Sequence, residues 1–294
     1  MKKVALLIIY NHRFDRNIPI LNKIYEARFN HIFHIVPFYD GNEENVIPVY
    51  ESSYQFSGYV SQAYSHLKRK GFTHYFVVAD DMVINPIINE MNLWEITGIK
   101  IDYCYINSFI SFQNRAMVWE RTVEALLYNM YGKGAEINNI LPCTEEAIER
   151  FKFHNLPTGN VPLKSVYKNI KRNKSLGIWE KLRLLKRKGR LTYPLVGGYS
   201  DIFLVTADVM DKFVLYCGAF AATRLFVEIA IPTALALASN KIQFNEDLKL
   251  KQKALWTAKD YEFLEKYNLS LTALNKDYPE DTLFIHPVKL SKWK

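Results

Sequence analysis

The chain has 294 residues, of which 49% are hydrophobic and 14% aromatic, so it is long enough and apolar enough to bury a large core. This composition excludes an intrinsically disordered protein, and three widely spaced cysteines exclude a disulfide-rich secreted scaffold. The net charge of +8 is concentrated, because residues 164–190 hold eleven Lys or Arg and one Glu, which leaves the rest of the chain near −2. A local basic segment on a near-neutral chain argues against a general nucleic-acid binder.

The N-terminal residues resemble the beginning of a signal peptide. However, the apolar run from Val4 to Tyr10 is short and continues into Asn11 without a cleavage site of small residues. No apolar run reaches the roughly 18 residues of a membrane span. We therefore expect a cytoplasmic protein with reduced thiols, which either is free in solution or lies at the inner face of the membrane.

The first third of the chain alternates between strand and helix patterns. We predict strands over Lys3–Tyr10 and His31–Phe38, and helices over Asn17–Phe29 and Ser57–Lys70. A strand–helix–strand opening is what a parallel, Rossmann-like sheet requires. We therefore expect an α/β fold with a mainly parallel, mixed sheet flanked by helices.

The next strand ends in two adjacent carboxylates. The run from His74 to Val78 is β-branched and aromatic, and Ala79, Asp80 and Asp81 follow it. Unpaired carboxylates cost several kcal/mol per ion in a core, so we expect them at the carboxyl end of the strand, where open α/β sheets bind ligands. Their hard oxygen atoms suit Mg²⁺ or Mn²⁺ holding a diphosphate. A turn in which both Asp residues cap the following segment is the alternative.

An apolar strand that closes on an acidic pair, in the first third of a chain of this length, resembles the metal-binding motif of GT-A-type nucleotide-sugar glycosyltransferases. The sequence Ala79-Asp80-Asp81 departs from the common Asp-x-Asp and is closer to the Glu-Asp-Asp form of some N-acetylglucosaminyltransferases. The resemblance implies that Asp81 binds the metal ion directly and that Asp80 contacts the ribose or supports the metal ligands.

The same resemblance implies a nucleotide site at the ends of the first strands. Tyr10, Asn11 and Arg13 would lie near the base or phosphates, and Asp40 near the uracil or ribose. An aromatic ring can stack on a base, and a carboxylate can accept hydrogen bonds from ribose hydroxyls. Ordinary loop polarity is the alternative for each residue.

The middle of the chain is predicted to carry an insertion over the sheet. After a strand over Ile101–Phe112 and a helix over Met117–Tyr131, residues 132–193 occupy the place where acceptor-specifying elements lie in GT-A proteins. Their second half, Lys164–Arg190, intersperses basic residues with Val166, Ile170, Ile178, Trp179, Leu182 and Leu185. Such a basic helical segment can lie on an anionic membrane, receive an anionic lipid-linked acceptor, or present a solvated helix face.

Paired glycines precede the next predicted strand. Gly197 and Gly198 allow close approach of a ligand to the backbone, and Asp201 follows them. These three residues resemble the small-residue turn that borders donor sugar and acceptor in GT-A enzymes. A plain tight turn is the alternative.

A single carboxylate lies within a core-facing apolar segment, Arg224–Ala238. Glu228 is surrounded there by apolar residues, and burial raises the pKa of a carboxylate, which suits a catalytic base. Glu228 with Pro232 and Thr233 also resembles the stretch that carries the base in some inverting glycosyltransferases. A salt bridge between Glu228 and Arg224 is the alternative.

The C-terminal residues 282–294 resemble the tails of several GT-A families, which end in His-x-x-x-x-x-Lys-Pro-Trp. An apolar strand presents His286, and Lys289 and Lys292 follow. By resemblance His286 completes the metal site and a lysine holds the diphosphate; the Pro and the usual Gly are missing here, so both lysines are candidates. Imidazole favours Mn²⁺ over Mg²⁺. A structural His in a terminal strand is the alternative.

Together these residues predict one GT-A domain over residues 1–294. We expect Mn²⁺- or Mg²⁺-dependent transfer of a sugar from a UDP-sugar or another nucleotide-sugar to a cell-surface glycan or lipid-linked acceptor. The metal ligands would be Asp81 and His286, and the inverting base Glu228, with Asp201 in reserve. A retaining transferase of the same fold, a nucleotidyltransferase and a non-enzymatic membrane-associated binding protein remain open.

Overall fold

The structure is a computed structural model that describes residues 2–114, 119–130, 137 and 139–293. Its strands are β1 (Val4–Ile9), β2 (Ile32–Pro37), β3 (Val46–Val49), β4 (His74–Ala79), β5 (Val83–Ile84), β6 (Cys104–Ile106), β7 (Ile202–Thr206), β8 (Ile242–Gln243), β9 (Lys251–Ala254) and β10 (Thr282–His286). Its α-helices are α1 (Asn17–Tyr25), α2 (Ser57–Leu67), α3 (Leu93–Thr97), α4 (Arg121–Leu127), α5 (Thr144–Phe153), α6 (Leu163–Arg172), α7 (Ile178–Arg187), α8 (Ala207–Ala222), α9 (Val227–Ala238), α10 (Ala258–Glu265) and α11 (Leu271–Lys276).

The central sheet has seven strands in the order β3-β2-β1-β4-β7-β6-β8. The first four are mutually parallel, and β7 runs antiparallel to both β4 and β6. Side chains of β1 alternate between two apolar clusters, one on each face of the sheet. A sheet covered on both faces explains why its strands read as nearly continuous apolar runs. The predicted α/β fold with a mixed, mainly parallel sheet flanked by helices is confirmed.

Strand pairing brings distant parts of the chain to one edge of the sheet. Ile9 of β1 is paired with Ala79 of β4, so both strands end at the same level. Because β7 runs in the opposite direction, it begins where β4 ends, and the backbone N–H of Ala79 donates to the carbonyl of Asp201 at 2.8 Å. The acidic pair and Asp201 are therefore neighbours.

A second, three-stranded sheet, in the order β5-β10-β9, brings the C-terminal tail to the same place. Strand β5 begins two residues after Asp81, and β10 pairs antiparallel with it. Beyond β10, the backbone N–H of Val288 donates to the carbonyl of Asp81 at 2.6 Å. This pairing places His286 beside the acidic pair.

Several predicted elements differ in extent from the structure. The strand predicted over Ile101–Phe112 is confined to β6, and β3 and α8 were not predicted. Of the helix predicted over Met117–Tyr131, the structure has α4; Met117, Val118 and Tyr131 lie outside the described residues. The described part of the predicted insertion, residues 137 and 139–193, contains α5, α6 and α7, whereas residues 132–136 and 138 lie outside it. In the described chain no helix has both the length and the apolarity to cross a bilayer.

Candidate functional site

Three titratable side chains from distant parts of the sequence meet at the carboxyl end of β4. Asp81 Oδ1 lies 2.9 Å from His286 Nε2, and Asp201 Oδ2 lies 3.9 Å from the same nitrogen. The predicted convergence of the acidic pair and the tail is therefore present in the structure. Asp201 joins the cluster because β7 begins at this edge of the sheet.

The two atoms at the centre of this cluster are buried and face each other. Asp81 Oδ1 and His286 Nε2 lie 2.9 Å apart, which is ion-pair distance when the imidazole is protonated, and neither atom has another hydrogen-bond partner among the described residues. When Nε2 carries no proton, both atoms are acceptors without a donor, which is costly in a protein interior. Two ligands at right angles on an octahedral ion, each about 2.1 Å from it, are separated by about 3 Å. The separation of the two atoms fits a shared divalent cation.

The cluster is not a closed metal cage. No group of three or more His, Cys, Asp or Glu side chains within residues 2–114, 119–130, 137 and 139–293 is placed to hold a metal ion. A Mg²⁺-type ion normally takes only one or two ligands from the protein, and phosphate and water oxygens complete its shell. Asp81 and His286 therefore fit a cation that is held jointly with a phosphorylated substrate.

Tyr199 orients the imidazole. Its hydroxyl lies 2.6 Å from His286 Nδ1, and its ring stacks on Phe284 with an interplanar angle of 8°. Burial, with Asp201 and Asp81 nearby, raises the pKa of Tyr199, so the phenol stays protonated. If the hydroxyl donates to Asp201 and accepts from Nδ1–H, His286 Nε2 keeps a free lone pair, as a metal ligand requires. Sequence reasoning missed Tyr199, because nothing in the sequence pairs it with residue 286.

The electrostatics of the cluster favour a cation. Burial lowers the pKa of His286, but its direct contact with Asp81 and the charges of Asp81, Asp201 and Asp80 outweigh burial, so the net shift is upward and a proton on Nε2 competes with a metal ion for this position. Burial also raises the pKa of Asp201, and the Asp81 charge adds to that effect. A positive charge placed between these carboxylates would relieve their mutual repulsion.

Asp80 has a different role from its neighbour. Its carboxylate is buried and accepts from Asn17 Nδ2 at 3.0 Å and from the backbone N–H of Asn11. Burial, together with the charge of Asp81, raises the pKa of Asp80 to about 7. Because the carboxylate is enclosed, the expected contact with a ribose is corrected, whereas the alternative expectation, that Asp80 supports the metal ligands, stays a prediction. In the structure Asp80 ties α1 and the loop after β1 to the end of β4. Asn11 contributes its backbone to this tie, and its side chain is partly exposed.

Glu228 lies in the first turn of α9, close to the cluster. Burial first, and then the Asp201 charge, raise the pKa of Glu228 to about 7, while Arg121 opposes the shift. The alternative salt bridge with Arg224 is wrong, since Arg224 pairs with Glu51 at 2.8 Å. Glu228 is thus a carboxylate poised between its two protonation states at neutral pH.

The two glycines make close contacts within the protein. Gly197 exchanges backbone hydrogen bonds with Ile110, and the N–H of Gly198 donates to the carbonyl of Glu228 at 2.8 Å. A Cβ at Gly198 would lie 2.5 Å from the carbonyl oxygen of Ser108. The expectation that these glycines admit a ligand is corrected: they admit neighbouring protein atoms and thereby fix the turn before Asp201.

Of the residues predicted to bind the nucleotide, Tyr10 is buried in the core, whereas Arg13 and Asp40 lie on the surface. Tyr10 is fully buried, with its hydroxyl 2.8 Å from His34 Nδ1, so its predicted stacking on a base is wrong. Arg13 and Asp40 form a surface ion pair, and Arg13 Nη1 donates to the carbonyl of Phe38 at 3.3 Å. The rings of Phe38 and Tyr50, both exposed, meet edge to face at 5.9 Å beside this pair. These rings are the accessible aromatic surface at the ends of β2 and β3, and sequence reasoning missed them.

The two lysines of the tail share one groove, which Pro287, the residue after His286, also lines. The groove has a volume of about 660 Å³. Its lining is both apolar and charged, with the basic Lys289 and Lys292, the acidic Glu265, and Tyr261, Leu264, Asn268, Leu269 and Trp293. The structure thus places both candidate lysines on the same surface, as expected if either contacts a diphosphate.

One exposed aromatic residue, Trp256, lies beside the cluster, and the sequence analysis did not single it out. Trp256 is 69% exposed, and its ring meets the edge of Tyr199 at 6.0 Å. Flat aromatic faces of this kind pack against apolar ligand surfaces.

Comparisons of the chain with protein-family models, with curated proteins and with solved structures gave no significant match. The functional argument therefore depends on the side chains of the site.

Proposed function

We propose that this protein is a metal-dependent glycosyltransferase of the GT-A type. It moves a sugar from a nucleotide-sugar, with UDP as the favoured carrier, to a glycan or lipid-linked acceptor. One observation carries the proposal: Asp81 Oδ1 and His286 Nε2 are buried, lie 2.9 Å apart and have no other hydrogen-bond partner among the described residues, at the carboxyl edge of a mainly parallel sheet. A cation held there by two protein ligands has coordination positions open for phosphate oxygens, and a nucleoside diphosphate supplies such oxygens.

The positive charges near the site would stabilise a diphosphate leaving group. When bound, Mn²⁺ or Mg²⁺ would neutralise the charge that develops on that group. Lys289 and Lys292 line one groove with Pro287, the residue after His286, and would add to this neutralisation, while Glu265 offsets part of their charge. Arg13 and Asp40, with Phe38 and Tyr50, provide a polar and aromatic surface for the nucleoside at the ends of the preceding strands.

Glu228 is the candidate base. The acceptor oxygen forms a bond to the anomeric carbon, the bond from that carbon to the diphosphate breaks, and the acceptor proton passes to the Glu228 carboxylate. This single displacement inverts the anomeric configuration. A pKa of about 7 suits a base that takes a proton near neutral pH. Asp201 is the reserve base, and retention of configuration in the product would exclude both from this role.

The test is a thermal-shift titration with UDP in the presence of Mn²⁺, Mg²⁺ or EDTA. At 100 times its dissociation constant, a ligand that binds only the folded state adds about 2.7 kcal/mol to the free energy of unfolding. We expect a rise in melting temperature only with metal present, and its loss in Asp81→Asn. The matched control is Asp102→Asn, which removes an exposed carboxylate that pairs with Lys241.

Two outcomes would reject the proposal. A UDP-induced shift that persists in EDTA would reject a metal-bridged site, and the absence of a shift with every nucleoside diphosphate would reject a nucleotide site altogether. Product analysis separates the remaining enzyme classes: a glycosyltransferase releases a nucleoside diphosphate, whereas a nucleotidyltransferase releases pyrophosphate.

A further inference from the structure

Helices α6 and α7 present an outward surface on which apolar and basic side chains are combined. Both pack on α4 and on each other, and Val166 and Leu184 are buried on their inner sides. Arg187 Nη1 donates to the backbone carbonyls of Leu126 and Tyr128 at the end of α4, which anchors α7. The outer sides of the two helices face away from this anchor; we call them the basic face.

Apolar side chains form rows on the basic face. On α7, Ile178, Leu182 and Leu185 are exposed and follow the i, i+4, i+7 spacing that aligns residues on one side of a helix. On α6, Leu163 and Tyr167 are exposed at i, i+4 spacing. Single exposed apolar residues are ordinary on protein surfaces, but aligned rows on adjacent helices mark an interaction site.

A row containing basic residues runs beside each apolar row. On α6, Lys164, Lys168 and Lys171 are exposed at i, i+4, i+7 spacing, one position after the apolar row. On α7, the corresponding row is Trp179, Arg183 and Lys186, and Trp179 is 80% exposed. The acid of the segment, Glu180, accepts the backbone N–H of Gly177 at 2.9 Å and so serves as a helix cap.

We propose that the basic face docks the protein on a bilayer that contains anionic lipids. Apolar rows flanked by lysine and arginine, with an exposed tryptophan, are what a helix needs to lie in the interface with its apolar side chains below the headgroups. Nucleic acid fits less well, because exposed Ile and Leu side chains find no partner on a phosphate backbone. This inference is independent of the proposed transferase activity, since it involves none of the residues of the carboxylate–imidazole cluster.

The test is co-sedimentation with vesicles of phosphatidylcholine alone or with 30% phosphatidylglycerol. We expect binding to the anionic vesicles and little to the neutral ones. Each basic residue near such a surface contributes about fivefold to the partition coefficient. The triple variant Lys164→Gln, Lys168→Gln, Lys171→Gln should therefore bind about 100-fold more weakly.

Two further variants separate the contributions. Replacing Ile178, Leu182 and Leu185 by Gln keeps good helix formers at exposed positions, so the fold should persist, and binding should fall by about tenfold or more. The matched charge control is the triple variant Lys23→Gln, Lys259→Gln, Lys276→Gln, whose lysines are exposed on other elements. This variant should retain most of the vesicle binding. Circular dichroism and melting temperature verify that each variant is folded.

Four results would overturn the inference. They are equal binding to neutral and anionic vesicles, no binding to either, an equal loss in the control triple, and undiminished binding in the apolar variant. The alternative occupant of the basic face is a second copy of this chain, which sedimentation velocity detects. If the wild-type chain does not bind vesicles and the apolar variant converts a dimer to a monomer, the basic face joins two copies of the chain instead.

Discussion

Replacing Glu228 by Gln is expected to stabilise the fold while it removes transferase activity. The pKa of Glu228 is about 7 in the folded protein because of burial and the Asp201 charge, against an ordinary value of 4.5. Between these two values the folded state binds more protons than the unfolded state, so the free energy of unfolding falls as pH rises from 4.5 to 7. Above pH 7 the full penalty of an ionised, buried carboxylate is present.

The magnitude follows from the same shift. A difference of about 2.5 pKa units corresponds to about 3 kcal/mol, and partial exposure of the side chain reduces this to about 2 kcal/mol. Because Gln carries no charge, Glu228→Gln should recover about 2 kcal/mol at pH 8 and almost nothing at pH 4.5. In a chain of this size, that gain raises the melting temperature by about 3 °C.

Urea titrations at pH 8 and pH 5 measure the stability difference, and initial rates of nucleoside diphosphate release measure the activity. We expect turnover to fall by at least about 100-fold, the usual contribution of a general base. Glu149→Gln, at an exposed position on α5, is the control and should change neither quantity. A stability gain that is equal at both pH values would refute the raised pKa, and unchanged turnover would refute the catalytic role.

Three further predictions concern the surroundings of the site. Gly198→Ala should lower the free energy of unfolding by about 2 kcal/mol, because the added methyl group would meet a backbone oxygen. In the control Gly159→Ala the methyl group points into open space, and the free energy of unfolding should not fall. Denaturant titration of both variants measures the difference. Burial lowers the pKa of His34 to about 4, so its neutral form favours folding above pH 6.5 and this stabilisation is lost as pH falls towards 4. The advantage of the wild type over His34→Gln should shrink by about 2–3 kcal/mol between pH 7.5 and 4.5, and a constant advantage would contradict it. Tyr199→Phe removes the hydroxyl that holds His286 and should weaken Mn²⁺–UDP binding by about tenfold, as measured by calorimetry. The melting temperature of the free protein should be nearly unchanged. Full affinity in this variant would show that the imidazole needs no such support.

The local periodicity of the sequence predicted the opening of the fold but not its whole sheet. Strands β1, β2 and β4 and helices α1 and α2 have strong patterns that depend on nearby residues alone. Strand β3 has four residues and includes Pro48, and only its pairing with β2 makes it a strand. Helix α8 packs against both α2 and α9 through its apolar residues, and Asp208, Asp211 and Lys212 form an exposed polar side, so its amphipathic pattern was present in the sequence and was missed.

Two errors at the site had signals in the sequence. Tyr10 continues the alternation of Val4, Leu6 and Ile8, all of which lie in one buried cluster, so the period of two already placed its ring inside. The proposed pair of Arg224 and Glu228 assumed that one helix contains both residues. Helix α9 begins at Val227, and Arg224 has a positive φ of 61°, so the i,i+4 geometry never forms.

The convergence of Asp81, Asp201 and His286 depends on topology more than on any motif. Residues 120 and 85 positions apart become neighbours only because β7 reverses direction beside β4 and because β10 pairs with β5. A resemblance could suggest Asp81 and His286 as partners, but no local pattern predicts that Asp201 and Tyr199 complete the cluster. For the same reason Trp256 and the pair Phe38 and Tyr50 had no sequence signal.

This dependence on topology has a consequence for how binding and folding are coupled. His286 reaches Asp81 only when β10 is paired with β5, and the tail beyond β10 is held by the bond from Val288 to the Asp81 carbonyl. A cation shared by Asp81 and His286 would therefore join the two sheets at the point where they meet. By thermodynamic linkage, whatever binds there must strengthen the attachment of the tail by the same free energy by which an attached tail strengthens binding. The tail also contributes Lys289 and Lys292 to the groove that it lines together with α10, so the proposed metal site and this groove are expected to form together.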